Sequence, residues 1–226
     1  MSIQSLLLDF DGTMADSSAG IYKSFLKACA AIGTQPPSFY DFKRKIGPPI
    51  ECLLIEFFPA INRDELQKSK AVFRREYDEN DFHDLDWYDG VDETLCVLST
   101  LMGLKLSVVS NKPTRPCEAL LRHAELNHYI DHVIGIDYLS IHAVGNPFSN
   151  KTEAIDCAIE LYQLDPINFC YVGDTLSDKI ASRLSNVQFI AAEYGFHSWE
   201  AHSLPRHSIS SFRSLPALIE SLLIAS

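Results

Sequence analysis

Leu6-Leu7-Leu8-Asp9-Phe10-Asp11-Gly12-Thr13 is the stretch that decides the reading of this 226-residue chain. An apolar run of this kind reads as a buried strand, and here it ends abruptly in two carboxylates with one residue between them, followed by a glycine turn and a hydroxyl. Residues two apart at the end of a strand project to the same side, so Asp9 and Asp11 can address one small ligand. Two carboxylates held that close repel each other unless a divalent cation sits between them or one keeps its proton, and both conditions suit phosphoryl chemistry. A plain strand followed by an Asp-Gly turn would give the same letters, so the rest of the chain has to decide.

Composition narrows the classes. The length allows one α/β domain with a sizeable insertion, or two small domains. With 46% hydrophobic residues the chain reads as an ordinary globular protein, and its formal net charge of −11 opposes a nucleic-acid or anionic-membrane partner. A phosphate ester would therefore be attracted by local positive charge, meaning a metal and one or two placed lysines. Cys29, Cys52, Cys96, Cys117, Cys157 and Cys170 are scattered singly, which reads as reduced thiols in a reducing compartment. The apolar run near the N-terminus lacks a basic flank and is cut short by Asp9, so no signal peptide is expected. No apolar stretch approaches membrane-spanning length, and the expected location is cytoplasmic.

From Ser18 to about Leu85 there are no strand-like runs. Ile21, Phe25, Ala28, Cys29 and Ile32 fall at helical spacing before Gly33 stops the segment. Pro36-Pro37 breaks the chain, Phe39 to Lys45 makes a short second helix, and Gly47-Pro48-Pro49 breaks it again. Ile50, Leu53, Leu54 and Phe57 give a third helix, and Asn62 caps a longer one through Phe73 and Tyr77. Four consecutive helices between a strand and the next α/β unit read as an inserted bundle. Its cations, Lys43-Arg44-Lys45 and Arg74-Arg75, suit either a substrate loop or solvated helix faces, and the sequence leaves both open. Gly47 is the better candidate for a loop beside the substrate.

Beyond the insert, Tyr88-Asp89-Gly90-Val91 turns into a helix carrying Leu95, Leu98 and Leu101. Leu104 to Val109 then form a strand ending in Ser110-Asn111-Lys112-Pro113. A hydroxyl and an amide there can bond a phosphoryl oxygen without adding charge, or cap a helix. Ile130 to Asp137 supply a third strand. Gly145 to Lys151 is a polar loop entering a helix with Ala154, Ile155, Ala158 and Leu161 on its apolar face. Asn168 to Val172 run into Gly173-Asp174-Thr175-Leu176-Ser177-Asp178. Val187 to Ala191 are a fifth strand, the loop Glu193-Tyr194-Gly195-Phe196-His197-Ser198 follows, and Leu215 to Leu223 close the chain as a helix. Alternating strands and helices predict a doubly wound α/β parallel sheet, with ligands beyond the carboxyl ends of the strands. Asp9, Asp11, Ser110, Asn111 and Asp174 all fall at such ends.

In order and spacing, Asp9-Phe10-Asp11-Gly12-Thr13-Met14 with Asp16-Ser17, the Ser-Asn-Lys-Pro string at 110–113, Lys151, and Gly173-Asp174 with Asp178 resemble the four signatures of the haloacid dehalogenase superfamily. The likeness is to its phosphatases, especially phosphoglycolate phosphatase-like members. It implies a Rossmann-like core of residues 1–17 and 86–226, an α-helical cap of residues 18–85, and a sheet in which the first strand lies between the second and fourth. It implies Asp9 as nucleophile, Asp11 as acid/base, and Lys151 as the lysine that neutralises Asp9 and the phosphate. Mg2+ would be held at Asp9, the Asp11 carbonyl, Asp174 and Asp178, and substrate at Gly12, Thr13, Ser110, Asn111 and Gly47. Close relatives carry Lys-Pro at the third signature, whereas here Pro147 precedes Lys151; Lys112 is the alternative for that role. The expected partner is a small phosphorylated metabolite, with no nucleic acid or membrane, and the chain a monomer or homodimer. A hexose-phosphate mutase-type transferase, a pyrophosphatase and a non-catalytic phosphate-binding or partner-binding relative stay open beside the phosphatase.

Overall fold

Strand β1 (Ser5–Leu8) is buried along its whole length because it has a hydrophobic layer on each face. The computed structural model describes residues 3–79, 84–142, 144–200 and 204–224. After β1 come β2 (Ala15–Asp16) and four helices, α1 (Ser18–Ala31), α2 (Phe39–Lys43), α3 (Ile50–Phe57) and α4 (Arg63–Glu79). The chain returns through β3 (Asp86–Trp87), α5 (Val91–Cys96), β4 (Lys105–Val109), α6 (Thr114–His123), β5 (His132–Ile134) and α7 (Tyr138–Ile141). It ends with α8 (Lys151–Tyr162), β6 (Phe169–Gly173), α9 (Leu176–Leu184), β7 (Gln188–Ala192), β8 (Ser208–Ile209) and α10 (Leu215–Ile224).

Six strands form one sheet in the order β5-β4-β1-β6-β7-β8, and every pairing in it is parallel. Alternation along β1 sends Leu6 and Leu8 to one face, with Leu106, Val108, Cys170 and Val172, where α5, α6 and α10 pack through Leu95, Leu120 and Ile219. Leu7 points to the other face with Val109, Phe169 and Tyr171, covered by Ala154, Ile155 and Ala158 of α8 and Ala181 of α9. This is the two-sided burial that a parallel sheet requires. It also places β1 between β4 and β6, so that three strand tips are neighbours.

The helical insert α1–α4 has its own core of Ile21, Phe25, Phe42, Leu53, Leu54 and Phe73. Asn62 starts α4 as expected, its side chain accepting from the Glu65 N–H at 3.0 Å while Glu65 reaches back to the Asn62 N–H at 3.1 Å. Both ends of the insert are tied by an antiparallel ribbon, with Ala15 opposite Trp87 and Asp16 opposite Asp86. Two-residue strands carry no periodicity, so neither this ribbon nor the edge strand β8 was expected. The third expected strand, 130–137, shrinks to the three residues of β5, the terminal strand of the sheet, paired on one side only. Leu101 and Leu161 were expected inward and are instead 79% and 42% exposed. Leu101 lies in a π-helical turn, Val97–Leu101, which shifts the phase of the apolar face. Among the described residues, no helix is long and apolar enough to cross a membrane.

Candidate active site

The tip of β1 carries Asp9, 3% exposed, whose backbone N–H donates to the Val172 carbonyl of β6 at 2.9 Å. Its Oδ1 accepts the Phe10 N–H at 2.8 Å and its Oδ2 accepts Lys151 Nζ at 2.7 Å. Lys151 opens α8 and is itself buried, and it also donates to Asp178 Oδ1 at 2.5 Å. Asp178 is fixed in turn by a capping box, its Oδ2 accepting the Thr175 N–H at 2.9 Å and the Thr175 hydroxyl at 2.6 Å. Lys151 therefore reaches Asp9 in spite of the displaced proline.

Burial raises the Asp9 carboxyl to about 6, with Lys151 working against the rise and Asp178 adding to it. Burial lowers Lys151, but Asp178 and Asp9 outweigh that and hold its ammonium well above the usual lysine range. The fully buried Asp174, at the tip of β6, is pushed well above the ordinary carboxylate range by burial first and by the Asp178 and Asp9 charges next.

Two glycines make room for Asp174. Gly12 has φ +80° and a Cβ there would lie 2.3 Å from Asp174 Oδ2, while a Cβ on Gly195 would lie 2.2 Å from Asp174 Cβ. Asp174 Oδ2 accepts the Phe196 N–H at 2.6 Å, whereas Oδ1 has, among the described residues, only the Thr13 hydroxyl, at 3.5 Å. One oxygen of a fully buried carboxylate thus lacks a close donor.

Asp9, Asp174 and Asp178 each place a carboxylate oxygen within 4.8 Å of the other two. With Asp11 they set four carboxylates against the ammonium groups of Lys151 and Lys112. An excess of carboxyl groups over lysines, an all-oxygen donor set and an under-satisfied Asp174 oxygen fit a hard divalent cation such as Mg2+. Asp174 is the freest of the three, since both oxygens of Asp9 and both of Asp178 already accept hydrogen bonds of 2.9 Å or less.

Asp11 belongs to a second charge cluster. Its Oδ1 accepts Ser17 Oγ at 2.5 Å and Lys112 Nζ at 3.0 Å. Lys112, with a side chain 2% exposed, also donates to the Tyr77 hydroxyl of α4 and lies over the Tyr77 and Phe10 rings. The alternative lysine thus serves Asp11 and leaves Asp9 to Lys151. Ser110 is buried beside it, its hydroxyl accepting the Lys112 N–H. Asn111 was expected to face the phosphoryl group, and its side-chain amide donates to the Gly47 carbonyl at 2.7 Å, joining β4's tip to the insert.

A cavity of about 60 Å³ lies between the insert and the strand tips, floored by Asp9, Asp11, Ser110, Asn111 and Lys112. Ile21, Ile46, Leu53, Phe73 and Gly47 wall it from the insert side. Of the insert's flagged cations only Arg74 lines it. Lys43 pairs with Asp16 at 2.7 Å and lies over the Phe196 ring, Arg44 lies over Tyr40, Lys45 pairs with Glu56 at 2.5 Å, and Arg75 pairs with Glu76 at 3.0 Å. Three contributors were missed in the sequence: Ser17, Tyr77 and Phe196. Tyr77 sits on an apolar pattern that reads as core and Phe196 in the loop after the fifth strand, where it packs into the insert's core while its N–H holds Asp174. A hydroxyl at the end of the Phe73–Tyr77 stripe was the available signal.

Fold and site together define a hydrolase with a doubly wound α/β core and an acid-and-lysine centre at its strand tips. Residues 6–192 match the family model described as haloacid dehalogenase-like hydrolase, and the chain belongs to that family. It is 26% identical over 202 residues to a phosphoglycolate phosphatase of Photobacterium profundum, covering 86% of this chain and 85% of that one. It is also 26% identical to a 5'-nucleotidase of Pseudomonas aeruginosa, covering 96% of each. Among solved structures, a predicted phosphatase from Clostridium acetobutylicum superposes with a TM-score of 0.85 at 23% identity, covering 99% of this chain and 100% of that one, a likeness of fold.

Proposed function

We propose that the chain is a Mg2+-dependent phosphatase that hydrolyses a small phosphate monoester of the phosphoglycolate kind through an aspartyl phosphate on Asp9. The observation that carries this reading is the buried Lys151–Asp9 pair set beside Asp174, which combines a nucleophile, a fixed cation for the phosphoryl oxygens and a donor set for a metal. Mg2+, when bound, supplies charge stabilisation to the phosphoryl oxygens. Asp9 Oδ attacks phosphorus as the bond to the leaving oxygen breaks, dividing one displacement into two. Asp11 gives its proton to the leaving oxygen and later takes one from the water that attacks the aspartyl phosphate. Thr13, Ser110 and the Gly12 turn orient the phosphoryl group, and residues 18–85 act as a cap that excludes bulk water.

The cavity size bears on the leaving group. The space of about 60 Å³ under the cap, walled by Ile21, Ile46, Leu53 and Phe73, supports a leaving group of a few heavy atoms. A panel of phosphoglycolate, other small alkyl phosphates, nucleoside monophosphates, hexose phosphates, pyrophosphate and p-nitrophenyl phosphate, assayed with and without Mg2+, tests this. The expected result is Mg2+-dependent phosphate release, highest for small alkyl esters; release of phosphate from none of them overturns the reading.

A further inference from the structure

The acid/base carboxylate is held from the cap. Asp11 Oδ1 accepts Lys112 Nζ at 3.0 Å, and the same ammonium donates to the hydroxyl of Tyr77 on α4. Tyr77 is the cap's contact with this cluster, its ring stacked on Phe73 at a centroid distance of 5.6 Å and an interplanar angle of 8°. Phe73 is in turn buried in the cap core. The next residue in the loop, Asn111, holds the Gly47 carbonyl of the cap's other edge of the cavity at 2.7 Å. The Ser110–Pro113 loop thus grips the cap at two points with consecutive side chains, and one of those points leads directly to Asp11.

We propose that Tyr77 is a positioning residue for Asp11, acting through Lys112, so that the acid/base group is aligned only while the cap rests on the core. The inference depends on the reading of Asp11 as acid/base. The physical reason is the freedom of the lysine stem. Four rotatable bonds leave the Lys112 ammonium free to follow any nearby anion, and Asp9 and the incoming phosphate both compete with Asp11 for it. The Tyr77 hydroxyl supplies a fixed second acceptor, and the Tyr77 and Phe10 rings, 4.4 and 5.4 Å from Nζ, confine it from either side. Ser17 donates to the same Asp11 oxygen at 2.5 Å. Held by Lys112 and Ser17, Asp11 has the small positional error that proton transfer to a leaving oxygen needs, where a misplacement of about 1 Å can cost about a hundredfold.

A general acid matters most when the leaving group is a poor one, and this gives a readout that loss of stability alone does not move. kcat/KM is measured for p-nitrophenyl phosphate, whose phenolate leaves without help, and for phosphoglycolate, whose alkoxide does not. Tyr77→Phe keeps the ring and its stack on Phe73. Its loss on phosphoglycolate is expected to exceed its loss on the nitrophenyl ester by about tenfold; equal losses on the two esters overturn the proposal. Lys112→Met is expected to show the same selectivity, and adding Tyr77→Phe to it to cost less than about twofold more, since the two act as one unit. A full, additive loss in the double variant also overturns the proposal. Asp11→Asn separates the two levels. If it retains phosphoglycolate turnover, the acid/base reading fails and the proposal with it; if it loses turnover while Tyr77→Phe affects both esters alike, the positioning role alone is wrong.

Discussion

Lys151 Nζ lies 2.7 Å from Asp9 Oδ2, although the two residues are 142 positions apart, and both are almost fully removed from solvent. A buried ion pair is a costly arrangement to fold, because each charge gives up its hydration, and its geometry must be good and its remaining valences filled to offset that cost. Here Lys151 has a second carboxylate, Asp178, and Asp9 has a backbone N–H. The pair thus meets those conditions, and its removal is expected to change both activity and stability.

Asp9→Asn keeps the size of the side chain and removes its nucleophilic oxygen. Phosphate release from every ester is expected to fall by about 10³-fold or more. Urea unfolding of the same variant should give a midpoint at or above that of the parent, since a carboxyl that burial raises to about 6 is replaced by a neutral group. Retained turnover would remove Asp9 from its role.

Lys151→Met leaves Asp9 and Asp178 buried and facing each other with no cation. A loss of about 3–5 kcal/mol in unfolding free energy is expected at neutral pH, as for breaking one side of a buried pair. Adding Asp178→Asn should recover part of that loss. An unchanged urea midpoint in Lys151→Met would contradict the pairing.

Mg2+ should raise the melting temperature of the parent protein, because a ligand that binds only the folded state stabilises it by about 2.7 kcal/mol at a hundred times its Kd. Asp174→Asn imitates the protonated carboxyl that burial and the neighbouring acids favour, so the fold should persist without the metal-dependent rise. Thermal melts with and without Mg2+ check both halves, and an equal shift in parent and variant would take Asp174 out of the metal site.

Asp16 gives a pH dependence outside the catalytic cluster. Burial would raise its carboxyl, but hydrogen bonds from Lys43 at 2.7 Å and from Ser18 outweigh burial and hold it below the ordinary value of 3.8. A depressed folded value means stabilisation that is fully present above the unfolded value and is lost as pH falls through the folded one. Lys43→Met should therefore lower stability at pH 7, by under about 1 kcal/mol for so partly exposed a pair, and the two proteins should converge below pH 3. Urea midpoints across that range test it; a gap that persists in acid would mean that Lys43 acts through its contact with Phe196 instead.

The sheet was legible because its evidence is local. Leu6, Leu8, Leu106 and Val172 declare buried strands by composition, and the carboxylates and hydroxyls that follow them declare strand tips. β8 and the β2–β3 ribbon were not legible, since a two-residue strand is defined wholly by its partner. Leu101 and Leu161 misled for a related reason. Periodicity says which positions share a face, but how far a neighbouring element covers the end of that face depends on packing.

Sequence by itself settled the alternation of strands and helices and the set of acids and lysines at the strand ends, because each depends on patterns within a few residues; the place of the first strand between the second and fourth came from the family resemblance. Only the tertiary structure decided how those groups divide: Lys151 to Asp9 and Asp178, Lys112 to Asp11 and Tyr77, the Asn111 amide to the Gly47 carbonyl of the insert. Ion pairs and hydrogen bonds between residues far apart in the chain are chosen by distance and burial after folding. A lysine's reach of several ångströms leaves the letters alone unable to choose among them.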